Sequence, residues 1–183
     1  MKRREALKNI GLATSGMLLF HACDFTDEKV SIILNKLQIN SNQEALLTAL
    51  VDSLLPESDI PGGIAVKAHN FVWTYIDDCT APEDQESFIS ALNLFDSKTN
   101  EVLGKHFYKA NETDRITTLE KLMNDSDETL NNFIEMVKGI AVWCYMNSEY
   151  IMTNEMPYQL IPGANTYVGC TPVDSTKRIN ING

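Results

Sequence analysis

Histidine, paired cysteine and cationic side chains are all scarce here, and each shortage removes a class of chemistry. The 183 residues hold three histidines and four cysteines. Beyond Cys23, the cysteines are Cys79, Cys144 and Cys170; no two stand at a Cys-x-x-Cys spacing and no histidine adjoins them, so no zinc site is expected. No nucleophile elbow, Gly-rich phosphate loop or His-x-x-x-His pair occurs, which leaves no recognisable catalytic or cofactor-binding motif. Strand-type alternation, internal repeats and low-complexity runs are missing too. The cations are not only few but misplaced. Residues 1–22 contain four basic residues and one acidic one, while the remainder sets 11 Lys and Arg against 24 Asp and Glu, a net charge of −13. Such a surface repels phosphate backbones, so nucleic acid is not an expected partner.

What is present divides into three parts. Residues 1–22 read as an address. Lys2-Arg3-Arg4-Glu5-Ala6-Leu7-Lys8 is a basic start, and the apolar stretch Ile10–Phe20 behind it is too short to span a bilayer, which takes roughly 20 apolar residues. The adjacent arginines, followed by Leu7 and Lys8, resemble the twin-arginine signal of bacteria, which exports folded proteins to the periplasm or cell envelope; the bland reading is an ordinary amphipathic helix start. Phe20-His21-Ala22-Cys23 resembles a lipobox, making Cys23 a candidate first mature residue carrying a lipid anchor and contacting the membrane without crossing it.

Residues 23–152 read as one helical domain. An apolar fraction of 44% supports a core. The 3–4 spacing predicts helical stripes at Val30, Ile33, Leu34 and Leu37, and at Leu46, Leu47, Leu50, Val51 and Leu54, with Ser41 and Glu44 as a capping box. Pro56 stops that helix, and the loop Pro56–Gly63 follows, rigid at its prolines and free at its glycines. A third stripe uses Ala65, Ala68, Val72, Tyr75, Ile76 and Cys79. Pro82 starts a fourth with Phe88, Ile89, Leu92 and Phe95, and a shorter piece holds Ile116, Leu119, Leu122 and Met123, with a turn near Val102 and Leu103. The last helix, expected to be the longest, carries Leu130, Phe133, Ile134, Val137, Ala141, Cys144, Tyr145 and Ser148; with Ile140 and Trp143 on its other flank it reads as the bundle's central helix, buried on more than one side. The fold class is all-α, a single helical bundle. Residues 153–183 form an irregular Pro- and Gly-containing segment, yet Tyr158, Leu160, Ile161, Tyr167 and Val168 are too apolar for a solvated tail. It either wraps its own bundle or lies on a partner.

The residues that could carry chemistry have stronger structural readings. His69 and His106 suit surface or capping roles. Asp77-Asp78 and Glu83-Asp84 sit at helix ends sharing one solvent, which does not separate their pKa values as acid–base catalysis requires. Asp125, Asp127 and Glu135 lack the central glycine of a calcium loop. Asn111-Glu112-Thr113 matches a glycosylation sequon that a bacterial export signal makes uninformative. Trp73, Trp143, Tyr75, Tyr145 and Tyr150 could line a pocket, but aromatics at helical spacing more often form core. Three cysteines in an oxidising compartment leave at least one without an internal partner; Cys144, among Trp143, Tyr145 and Met146, is expected to be buried.

Several loop motifs together are informative. Leu54-Leu55-Pro56-Glu57-Ser58-Asp59-Ile60-Pro61-Gly62-Gly63, Ser148-Glu149-Tyr150 and Tyr158-Gln159-Leu160-Ile161-Pro162-Gly163-Ala164-Asn165-Thr166-Tyr167-Val168-Gly169-Cys170, behind a twin-arginine start, resemble the gluconate 2-dehydrogenase subunit 3 family. The resemblance departs at Ser58, Ile60 and Gly63. It implies a helical small subunit without a cofactor of its own, bound to a large flavoprotein of the glucose–methanol–choline type that holds FAD and the active site, with a cytochrome c accepting electrons in many systems. It implies also that the small subunit supplies the export signal and assists folding and stability of the large one. On this reading Pro56, Asp59, Pro61, Gly62, Tyr158, Ile161, Pro162, Gly163 and Tyr167 meet the partner, and Cys170 is the candidate for an intermolecular disulfide. The alternative is a stand-alone lipid-anchored helical ligand-binding protein of the envelope, using a groove around Trp73 or Trp143.

Overall fold

The computed structural model describes residues 30–124 and 127–156. The leader, Cys23, Asp125, and the closing residues Tyr158, Ile161, Pro162, Gly163, Tyr167 and Cys170 lie outside them. The expected all-α bundle forms from α1 (Ser41–Leu54), α2 (Ala68–Cys79), α3 (Pro82–Leu103), a 3₁₀ turn (Phe107–Lys109), α4 (Glu112–Met123), α5 (Glu128–Met146) and a π-helical turn (Ile151–Glu155). Among the described residues none is in a strand, and no helix is long and apolar enough to cross a membrane.

The helix ends follow from local chemistry. Pro82 takes the first position of α3, where its missing N–H costs nothing, and Gly104 ends that helix in the left-handed region with φ 65°. Asn111 and Asp127 cap α4 and α5 by accepting first-turn N–H groups. The core is organised by aromatic rings: Trp73 to Phe88 at 5.7 Å, Phe88 to Phe133 at 5.4 Å, Phe133 to Phe95 at 6.0 Å and Phe95 to Phe107 at 5.1 Å. This chain ties α2, α3, α5 and the 3₁₀ turn, and each such pair adds about 0.5–1.5 kcal/mol beyond the area it buries. α5 lies most extensively against α2 and also touches α1, α3 and α4.

Several expectations are corrected. Residues 30–40 are not helical but form an irregular strap in which Ile32, Leu34, Leu37 and Ile39 pack on the core while Ile33 stands outside. The capping box of α1 is Asn40 with Gln43, one residue earlier than Ser41 and Glu44; Glu44 is free to accept from the Ser31 N–H instead. The stripe on α2 includes Trp73 and Asp77 but neither Ala65 nor Cys79, both exposed. Val102 and Leu103 are the end of α3, which at 22 residues exceeds α5 at 19, and α5 ends at Met146 with Asn147 as its cap, short of Ser148. Asp77 does not share solvent with Asp78: it is buried, whereas Asp78 is exposed.

Candidate partner interface

α5 is apolar on two faces, and the bundle covers one. Leu130, Phe133, Ile134, Val137 and Ala141 point inward at 3–4 spacing. The opposite side carries Met136, Val142, Trp143 and Met146, and Trp143 is 55% exposed. The expectation that Trp143 is buried therefore fails. Its indole is a surface feature, packed edge-on against Phe71 at 5.1 Å and near Tyr75 at 6.2 Å, both on α2. These rings hold Trp143 in place without covering it. Between Met136 and Trp143, Gly139 is exposed, and a Cβ there would meet nothing within 4 Å. A mid-helix glycine costs about 0.5–1 kcal/mol relative to alanine, and no contact among the described residues requires one.

At its C-terminal end this face opens into a cleft of about 510 Å³, lined by Lys67, Phe71, Trp143, Cys144, Asn147 and Tyr150 among others. Burial pushes the Cys144 thiol up, away from thiolate reactivity. The loop before α2 forms one wall. Gly63 donates to the Leu55 carbonyl at 2.8 Å, Ala68 to that of Gly63 at 2.8 Å, and Tyr145 to that of Pro61 at 2.8 Å. Gly62 is buried where a Cβ would strike Glu57 N at 2.7 Å and Leu55 O at 2.9 Å, both backbone atoms. Pro56 and Asp59 are exposed, Pro61 partly so. Of the candidate interface residues, the structure thus joins Pro56, Asp59, Pro61 and Gly62 in one loop beside the Trp143 cleft. Trp73, by contrast, is fully buried in the core, and no groove surrounds it.

The bundle has a second, polar cleft of about 590 Å³, where Ser31, Glu44, Asp52, His69, Tyr108 and Arg115 meet. Most of its polar groups are satisfied within the chain. Glu44 accepts from Ser31, Asp52 pairs with Arg115 at 2.8 Å, and the Tyr108 hydroxyl donates to Asn42 at 3.0 Å. His69 Nδ1 and Arg115 Nε are buried without a partner among the described residues. Burial lowers the His69 pKa, with Glu44 opposing, so the ring is neutral near pH 7. His106 is half-exposed, stacked on Tyr108 and 3.2 Å from Asp96. Among the described residues neither histidine meets a cysteine or serine in a nucleophile–base pair. Among the described residues no three His, Cys, Asp or Glu side chains gather as a metal site.

Sequence reasoning named the loop, and a groove around Trp143 only as the alternative reading; it did not single out Met136, Gly139, Val142 and Met146 as surface. The signal was there: a helix apolar all round in a bundle too small to enclose it. A family model described as gluconate 2-dehydrogenase subunit 3 matches residues 41–163, roughly two-thirds of the chain. Comparisons with curated proteins and with solved structures give no match.

Proposed function

The chain belongs to the gluconate 2-dehydrogenase subunit 3 family, and from that membership together with the uncovered face of α5 we propose that it is the non-catalytic small subunit of an exported FAD-dependent sugar or glycoside dehydrogenase complex. Its family implies a catalytic partner subunit. In this reading that partner is a large flavoprotein of the glucose–methanol–choline type, which holds FAD and the active site and passes electrons to an acceptor such as a cytochrome c. The small subunit supplies a twin-arginine leader, assists folding and stability of the large one, and reaches the periplasm or cell envelope with it, with Cys23 as lipid-anchor candidate and Cys170 as candidate for a bridge to the partner.

The single observation carrying this is Trp143. A half-exposed indole, held rigid by Phe71 and Tyr75 and flanked by Met136, Val142 and Met146, has the composition of an interface centre: aromatic and methionine side chains, little rotamer entropy left to lose, and a wide apolar area to cover. Gly139 supports the same face, since its bare Cα lets another backbone approach closely. The loop Pro56–Pro61 continues the surface past the Trp143 cleft.

The test is co-purification with the flavoprotein encoded beside this chain. Trp143→Ala is expected to weaken association by about 30-fold, the size of an interface hot spot, while the isolated chain stays folded, its stability lower by the lost ring contacts with Phe71 and Tyr75, about 0.5–1.5 kcal/mol each. Retention of full affinity by this variant sinks the assigned face. Failure of the wild-type chain to capture any flavin-containing partner sinks the subunit reading. The stand-alone ligand-binding alternative predicts instead a sugar-dependent rise in melting temperature without a partner.

A further inference from the structure

The polar cleft of about 590 Å³ is built on short side chains of α1. Ala45 and Ala49 stand one turn apart, beside a row of Glu44, Thr48 and Asp52 at four-residue spacing. Helical rise makes that row about 12 Å long. The alanines leave space, and the row lines it with oxygen. His69 from the first turn of α2 and Arg115 from α4 complete the polar lining.

Arg115 is held at two points. Its Nη1 donates to the Ala49 carbonyl at 3.3 Å and its Nη2 to the Asp52 carboxylate at 2.8 Å. The planar guanidinium is thereby fixed, and with it the direction of the Nε–H, which is buried and has no partner among the described residues. His69 Nδ1 is in the same condition. Buried polar atoms are nearly always paired, so two orphans in the lining of one cleft mark where a polar atom from another molecule belongs.

Charge selects the class of molecule. The lining holds two carboxylates, Glu44 and Asp52, and one guanidinium that is already paired. An anion therefore meets a net negative field, and a cation has no oxygen to offer the Arg115 Nε–H. Among the described residues no group of three donors forms a metal site. A neutral hydroxyl satisfies both demands, since its oxygen accepts from Nε while its proton goes to a carboxylate. Several hydroxyls on one small carbon frame match the several oxygens along α1, and Ala45, Ala49 and Ile64 give its C–H groups an apolar surface.

We propose that this cleft binds a neutral polyhydroxylated small molecule, a monosaccharide or sugar alcohol, with one hydroxyl bridging Arg115 Nε and Asp52 and others reaching Thr48, Glu44 and His69. The site rests on neither the subunit reading nor the Trp143 face.

The experiment titrates the full chain at neutral pH with D-glucose, sorbitol and D-gluconate, followed amide by amide by NMR. Saturable shifts confined to the neighbourhood of Glu44, Thr48, Asp52, His69 and Arg115 are expected with glucose or sorbitol, the two separating a ring from an open chain. Gluconate, which adds a like charge, should bind about tenfold more weakly. Arg115→Lys keeps the cation but removes the Nε–H, and should weaken binding about tenfold. Ala45→Leu, at a half-buried position, fills the cleft while leaving its polar groups in place, and should abolish binding. No saturable shift with either neutral probe overturns the proposal, as do shifts spread over the surface, gluconate binding as tightly as glucose, or unchanged affinity in either folded variant. If Arg115→Lys does not fold, Ala45→Leu decides. Trp143→Ala should bind as the wild type does; loss of binding there moves the ligand to the groove of the stand-alone alternative and overturns this site. Capture of the flavoprotein is scored on the same wild-type chain. A chain that binds glucose and captures no partner keeps this site and sinks the subunit reading, and one that captures its partner and ignores both neutral probes does the reverse.

Discussion

The two irregular segments that flank α1 are held by opposite means. The strap at 30–40 is fixed by charge: the buried Asp77 carboxylate accepts the N–H groups of Asn35, Lys36 and Leu37 at 2.6, 2.9 and 2.7 Å. A carboxylate in the last turn of a helix opposes the helix dipole, and burial alone raises its pKa, but the three donors and the charge of Lys36 outweigh both and hold the Asp77 carboxyl below its ordinary value. The loop at 55–67 is fixed by close backbone approach, with Gly62 and Gly63 buried against Leu55 and Glu57, and with one hydroxyl, that of Tyr145, on the Pro61 carbonyl. The strap lies outside the family match and the loop inside it. A charge clasp can be added to a bundle by one carboxylate and a few apolar residues, whereas a glycine-packed loop is part of how the helices meet.

That contrast can be broken in order of effect. Asp77→Ala leaves three N–H groups without their acceptor and frees the strap with Leu34, Leu37 and Ile39; a loss of about 3 kcal/mol is expected, read by urea denaturation, with accelerated hydrogen exchange confined first to residues 35–37. Gly62→Ala forces a Cβ into the backbone of Glu57 and Leu55, at an expected cost of about 2 kcal/mol, and exchange should rise in the loop while the strap stays protected. If both variants loosen both segments equally, the two are one unit and the distinction is lost. Tyr145→Phe removes the hydroxyl on Pro61 and is expected to cost about 1 kcal/mol. Gly139→Ala should stabilise the lone chain by about 0.5–1 kcal/mol yet weaken partner capture, a pair of opposite signs that a merely structural glycine would not give.

Acid sharpens the comparison, because only one segment depends on a titrating group. The unfolded chain protonates its aspartate near pH 3.9, and folding holds Asp77 below that value. The clasp therefore contributes in full above the unfolded pKa and is lost as pH falls through the depressed folded one. Stability measured below about pH 4 should fall more steeply in the wild-type chain than in Asp77→Asn, and the loop should show no matching dependence.

Much of the bundle was legible because its signals are local. Pro56 and Pro82 bound helices as their ring chemistry dictates, and the inward stripes at Leu46–Val51, Phe88–Phe95 and Leu130–Ala141 are buried as their spacing requires. The strap misled because Val30, Ile33, Leu34 and Leu37 have helical spacing by chance, while the group that fixes their backbone, Asp77, is some forty residues away. The surface proposed for the partner was legible in the sequence only in part. The loop announced itself through proline and glycine, but Trp143 gave the same periodicity signal whether buried or exposed.

Sequence alone determined where helices start and stop, which of their faces are apolar, and that cations are concentrated in the first residues. Capping, proline geometry and 3.6-residue spacing act within a few residues, so they are written in order along the chain. Only the tertiary structure decided which apolar face each helix spends on this bundle and which it leaves for another surface. That choice depends on how many neighbours the five described helices can supply, and α5, touched by the other four, still has more apolar circumference than they can cover.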